Sequence, residues 1–193
     1  PVFQAEYGIR DFLLSLVGSE MCIRDSRTLR PWMWAPFILV LDFVTKRAVL
    51  ANEAALRAKI EVIGDFLRFI YVRNPGSAMG LFPVGRWVLI GVSLLASIFL
   101  VWLYRSTESR LVVRRSAMAA ILGGAIGNLI DRIFYGGLVV DFIDVGMGTS
   151  RFYTFNVADA GVSVGGALLF LCILLDGRKS ADKIPSGDEE RAG

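Results

Sequence analysis

Two aspartates, Asp141 and Asp159, sit at the ends of hydrophobic segments in a chain that contains no histidine. A charged side chain at the centre of a membrane helix costs about 2.5–3.5 kcal/mol on insertion scales, so an acid kept in such a place calls for a reason. Both lie in polar, glycine-spaced surroundings. Gly127-Asn128-Leu129-Ile130-Asp131-Arg132 leads to Val139-Val140-Asp141-Phe142-Ile143, and Phe155-Asn156-Val157-Ala158-Asp159 follows. Two carboxylates held close do not both ionise easily, so they share a proton and divide acid and base work between them. The lack of histidine excludes a Ser-His or Cys-His pair and argues against a zinc site. Hydrolysis by two carboxylates needs no metal and no organic cofactor.

Asn156 is an N-cap candidate, which puts Asp159 in the first turn of a helix, where the dipole favours a carboxylate. A capping acid with no chemistry is thus an even alternative for Asp159 taken alone. Its position a short outer loop away from Asp141 favours chemistry, with Asp159 as the ionised member of the pair. Upstream, Gly124, Asn128, Asp131 and Arg132 share one helix face through i,i+3 and i,i+4 spacing. Asn128 and Arg132 point towards the end from which Asp141 emerges and are read as functional. Asp131 is read as neutralising charge at a packed interface. Asp42 and Lys46, at i,i+4, read first as an ion pair within the membrane and second as support for the reacting groups. Gly123 with Gly127, and Gly161 with Gly165, are small-xxx-small pairs that let helices approach closely.

The elements that must position these residues are membrane helices. The chain has 193 residues, 54% of them hydrophobic, and a mean hydropathy of +0.56. Four spans are predicted: Trp32 to about Val49, about Trp87 to Tyr104, about Ser116 to Phe134 and about Ala158 to Leu175. Each approaches the roughly 17–25 residues that cross a bilayer. Basic residues 21 against acidic 18 give a net charge of +3, dispersed along the chain. That pattern fits the flanks of membrane segments and excludes a nucleic-acid binder, which clusters its basic residues. Cys172 reads as a packing residue, and with Cys22 it makes no disulfide framework.

Short basic connections at Arg105–Arg115, Arg178–Lys179 and Arg27–Arg30 belong in the cytoplasm, so both termini are expected inside and residues 50–86 and 135–157 outside. The outer segments hold strand formers at Asp65–Arg73, Leu138–Val145 and Arg151–Phe155, which predict a small sheet on the membrane surface. Asn74-Pro75-Gly76 breaks the first of these. Phe82, Trp87 and Phe152 are candidate interfacial anchors. Residues 1–27 are expected to be a non-native or disordered extension, since Ser15–Asp25 resembles a translated sequencing adapter. Residues 28–178 form the membrane domain, and 179–193 a disordered cytoplasmic tail.

In order and spacing, these blocks resemble the bacterial lipoprotein signal peptidases, the signal peptidase II family. The resemblance covers about residues 32–176 and rests on Asp42-Phe-Val-Thr-Lys46, Asn74-Pro-Gly76-Ser-Ala78, Gly123 to Arg132, Val140-Asp141-Phe-Ile and Phe155-Asn156-Val-Ala-Asp159. It implies an all-α polytopic membrane protein with four transmembrane helices, a small extracytoplasmic β-sheet and a short surface helix. It implies an aspartyl endopeptidase of the bacterial inner membrane, acting on diacylglyceryl-modified prolipoproteins among membrane lipids at the extracytoplasmic face. Asp141 and Asp159 match the catalytic dyad. Asn74, Gly76, Asn128, Arg132 and Asn156 match positions around it, and Asp42 and Lys46 match the first-helix polar pair. A monomer suffices for this chemistry. Phe43, Pro75 and Met79 depart from the usual pattern and bear on the outer loop rather than the dyad. A proton-coupled transporter and an assembly protein are the competing classes; the first lacks an inverted repeat, and the second leaves the paired aspartates unexplained.

Overall fold

The structure, a computed structural model, describes residues 31–75 and 85–181. A single 3-10 turn at Pro31–Met33 enters α1 (Trp34–Ala51), followed by α2 (Glu53–Arg57), β1 (Ile60–Ile63), β2 (Leu67–Asn74), α3 (Arg86–Ser106), α4 (Val112–Phe134), β3 (Val139–Met147), β4 (Ser150–Arg151) and α5 (Val157–Ala181). Gly76, Phe82, Met79 and residues 1–27 lie outside the described residues, as does the tail beyond Ala181.

Three helices among the described residues are long and apolar enough to cross a membrane: α3, α4 and α5 over Val157–Asp176. The first predicted span also forms a helix, α1, but it has 18 residues, about 27 Å at 1.5 Å per residue, and carries Asp42, Lys46 and Arg47. Its residues are sorted in the reverse of a soluble helix. Asp42 and Lys46 are buried, while Phe37, Val40, Phe43 and Val44 are exposed. An apolar solvent rewards that arrangement, since charged groups then find partners inside and hydrocarbon meets hydrocarbon.

Helix α4 lies at the centre and packs against α1, α3 and α5. Its glycines make this possible. A Cβ on Gly124 would collide with the carbonyl oxygen of Ala158, and one on Gly127 would lie 2.6 Å from Asp42 Oδ2. Small residues at such crossings let backbones meet where the hydrophobic effect gives helices no reason to associate.

The four strands form one antiparallel sheet in the order β1-β2-β3-β4. The predicted strands at Asp65–Arg73 and Leu138–Val145 correspond to β2 and β3. The third shrinks to β4, with only Phe155 bridging back to Ile143. β1 and the short helix α2 complete this layer. Val49, Leu56, Val140 and Phe142 form its core, joined by Phe69, Tyr71 and Val157, so the sheet sits on the C-terminal end of α1. Arg68 and Arg151 both bind Asp144, Arg68 Nη2 at 2.8 Å and Arg151 Nε at 2.8 Å, and both reach Asp65. This cluster ties β2, β3 and β4 together.

Candidate active site

Asp141 is placed by β3. Only four residues separate α4 from this strand, and the chain reverses there through Gly136 and Gly137, at φ +68° and +97°. The Gly137 N–H donates to Arg132 O at 2.8 Å, the left-handed glycine ending expected after a helix. In the sheet Asp141 stands opposite Val72. Asn74, two residues along β2, is therefore its diagonal neighbour on the same face, and Asn74 Nδ2 donates to Asp141 Oδ2 at 2.8 Å. Asn156 Nδ2 donates to the other oxygen, Oδ1, at 2.7 Å.

Asp159 is placed by the start of α5. The Asp159 N–H donates to Asn156 Oδ1 at 2.9 Å, and the Asn156 N–H donates to Asp159 Oδ2 at 3.2 Å. The two residues thus form a reciprocal capping box, with Asn156 as N-cap and Asp159 at the third helical position. The remaining oxygen, Oδ1, accepts from Asn128 Nδ2 at 2.7 Å. Asn156 is therefore shared. One side chain donates to Asp141 while it caps the helix that carries Asp159. The Phe155 backbone pairs with Ile143 on β3, which sets Asn156 beside Asp141 before the helix begins.

Behind the asparagines lies a buried ion cluster. Lys46 Nζ contacts Asp42 Oδ2 at 2.7 Å, Asp131 Oδ2 at 2.9 Å and Asn128 Oδ1 at 3.1 Å. Asp42 Oδ1 accepts the Ala158 N–H at 2.9 Å, and Asp131 Oδ2 accepts the Val140 N–H at 3.1 Å. The expected Asp42–Lys46 ion pair is present. Asp131, read as neutralising charge at a packed interface, has Lys46 of α1 as its ionic partner. Arg132 is half-buried, and its Nε has no hydrogen-bond partner among the described residues.

Burial pushes the Asp141 carboxyl up to about 6, with the negative charge of Asp159 adding to the effect and the amide donors Asn74 and Asn156 opposing it. Asp144, three residues along the same strand, goes the other way. Burial would raise it, but the bonds from Arg151 and Arg68 outweigh that and hold it below the usual carboxylate range. Acid–base cleavage of a peptide bond needs one protonated and one ionised carboxyl. The structure brings together Asp141, Asp159, Asn74, Asn128, Asn156, Asp42 and Lys46. Sequence reasoning missed the backbone donors Val140 and Ala158 and the Asp131 link. The available signal was the shared face of Asn128 and Asp131. Trp87 and Phe152 are exposed. Among the described residues no three Asp, Glu, Cys or His side chains gather as metal ligands.

A family model described as Signal peptidase (SPase) II matches residues 34–175. A lipoprotein signal peptidase of Symbiobacterium thermophilum is 43% identical over 141 residues, which cover 73% of this chain and 91% of the relative. One from Desulforapulum autotrophicum is 40% identical over 133 residues, 66% of this chain and 81% of its own. A solved structure described as a bacterial membrane enzyme superposes with a TM-score of 0.69 at 29% identity, covering 84% of this chain and 93% of the other. A second so described gives 0.66 at 30% identity, over 75% and 92%.

Proposed function

The chain belongs to the signal peptidase II family, and from that premise we propose that Asp141 and Asp159 are its catalytic pair. The protein is an aspartic peptidase that removes signal peptides from prolipoproteins in the bacterial inner membrane. The observation that carries the dyad assignment is the bridge through Asn156, which donates to Asp141 and exchanges two hydrogen bonds with Asp159.

The chemistry then runs as follows. Ionised Asp159 takes a proton from a water molecule, whose oxygen attacks the scissile carbonyl carbon. Protonated Asp141 gives its proton to the carbonyl oxygen, producing a neutral tetrahedral diol. Asp159 next gives its proton to the leaving nitrogen. Asp141, now ionised, takes a hydroxyl proton back as the C–N bond breaks. The products are an acid and an amine, and both carboxyls return to their starting states. Asn74 and Asn156 orient Asp141, and Asn128 orients Asp159. Gly76 matches a position of the family's outer-loop motif. Arg132, whose Nε has no hydrogen-bond partner among the described residues, is suited to a substrate carbonyl or a lipid phosphate.

The substrate's cysteine carries diacylglycerol, and cleavage falls just before it at the extracytoplasmic face. In this arrangement α1 is the fourth transmembrane helix, its charged face turned inward. Both termini are cytoplasmic, the sheet lies outside at headgroup level, and a monomer working among membrane lipids holds the whole site. A lipid-anchored substrate meets such a site by diffusing in the plane of the outer leaflet. The transport and assembly readings give way to the family match. The test is to present the purified protein in nanodiscs with one prolipoprotein in diacylated and unmodified forms and to follow cleavage on a gel. The diacylated form should be cut at least about tenfold faster in kcat/KM, a difference of about 1.4 kcal/mol. Equal rates would contradict the lipid part of the proposal.

A further inference from the structure

Lys46 spends all three of its ammonium donors inside the protein, on Asp42, Asp131 and Asn128. Two of those contacts lead straight to the dyad. Asn128 Oδ1 accepts from Lys46 and from Asn156 Nδ2, at 3.1 and 3.2 Å. That fixes which way its amide faces and leaves Nδ2 to donate to Asp159. Asp131 Oδ2 accepts from Lys46 and from the N–H of Val140, the residue before Asp141. A single cation thus holds a lever on each reacting carboxylate, one through a side chain of α4 and one through the backbone of β3.

Stability alone does not account for Asp131. Asp42 and Lys46 already form a neutral buried pair. Counting Lys46 and Arg132 as cations, and Asp42, Asp131 and one ionised member of the dyad as anions, the cluster holds one negative charge more than positive. Surplus charge in a buried cluster is costly, and a neutral pair is the cheaper structure. Asp131 is also the residue through which α4 reaches the strand that bears Asp141, across a link of four residues.

We propose that Asp131 is a positioning residue for the reaction. Through its shared contacts with Lys46 and the Val140 N–H, it sets Asp141 relative to Asp159. The proposal rests on the assignment of those two aspartates as the catalytic pair. Its geometry predicts a loss in the chemical step rather than in substrate binding, because Asp131 and Lys46 are buried behind the asparagines.

The experiment measures cleavage of a diacylated prolipoprotein by wild type, Asp131→Asn, Lys46→Met and the double variant, with Asp141→Asn and Asp159→Asn alongside. Rates are expressed per folded molecule from thermal melting of each preparation. Asp131→Asn should lower kcat by at least about tenfold, in line with the cost of small misplacements, and leave KM within about twofold. The double variant should lose about as much kcat as the worse single one, because the two residues act through one contact. Asp131→Glu keeps the charge but shifts the carboxylate by one methylene, so it stays folded and loses kcat in the same sense. If Asp131→Asn keeps kcat within about twofold while both dyad variants are dead, the inference is overturned and the dyad stands. A kcat loss that only tracks the folded fraction also overturns it. If either dyad variant cuts normally, it is the catalytic assignment that fails.

Discussion

Asn156 carries more of the site than any other neutral residue. It is fully buried, and it serves Asp141, Asn128 and the first turn of α5 at once. Its role as an N-cap is legible from Asn-x-x-Asp ahead of an apolar run. Its bond to Asp141 is not, because that depends on the Phe155 backbone returning to β3. Asn156→Ala removes the cap and strands an acceptor on Asp141. It should cost about 1–2 kcal/mol of stability and at least about 100-fold in kcat, read by thermal melting and single-turnover cleavage. Asp141 gives a second prediction at this scale. Its folded pKa, about 6, lies above its ordinary value of 3.8. The folded state therefore holds this proton more tightly than the unfolded state. That stabilisation is complete below the unfolded value and is lost as pH rises through about 6. Asp141→Asn cannot ionise, so its melting temperature relative to wild type should rise between pH 4 and pH 7. A gap that stays constant across this range would contradict the shift.

At the scale of elements, the site depends on how closely α4 meets α5 and α1. The small-xxx-small pairs were visible in the sequence, and Gly123 and Gly127 do face α1, with Ala35 and Asp42 their nearest neighbours. The residue pressed hardest against α5 is Gly124, which the spacing rule did not single out. Which glycine meets which helix is set by the crossing, and no periodicity encodes that. Gly124→Ala places a methyl against the backbone of Ala158, next to Asp159, and backbone cannot turn aside as a side chain can. Overpacking of this kind costs about 1–3 kcal/mol, and the shifted helix start should lower kcat more than it raises KM. The strands were legible from their β-branched and aromatic runs. The Asp144 clamp was not, because Arg68 and Asp144 lie 76 residues apart. Asp144→Ala leaves two arginines without their shared partner. It should lower stability by about 2 kcal/mol, less than for a fully buried pair because both guanidiniums reach solvent. Thermal melting measures this directly.

For the whole molecule, the charged face of α1 explains why composition alone finds three membrane helices where the sequence reading expects four. Asp42, Lys46 and Arg47 count against α1 in any hydropathy window, yet two of the three are buried against α4 and α5, and the face left outside is aromatic and aliphatic. The long helices α3, α4 and α5 were readable because apolar runs of bilayer length report on them. The ion cluster that partners the buried charges of α1 joins residues far apart in the chain, so it appears only in the folded protein. The topology can be checked with single cysteines in a background lacking Cys22 and Cys172. A cysteine at exposed Glu61 in β1 should react with an impermeant maleimide in intact spheroplasts, and one at exposed Glu108 between α3 and α4 only after permeabilisation. The reverse pattern would invert the orientation. The most direct test of the central claim is the single-turnover rate of Asp141→Asn, Asp159→Asn and the double variant on a diacylated prolipoprotein, each confirmed as folded. Two carboxyls that act as one unit predict that all three fall to the same background rate, with the double no worse than either single. Cleavage near the wild-type rate by either single variant would contradict the dyad.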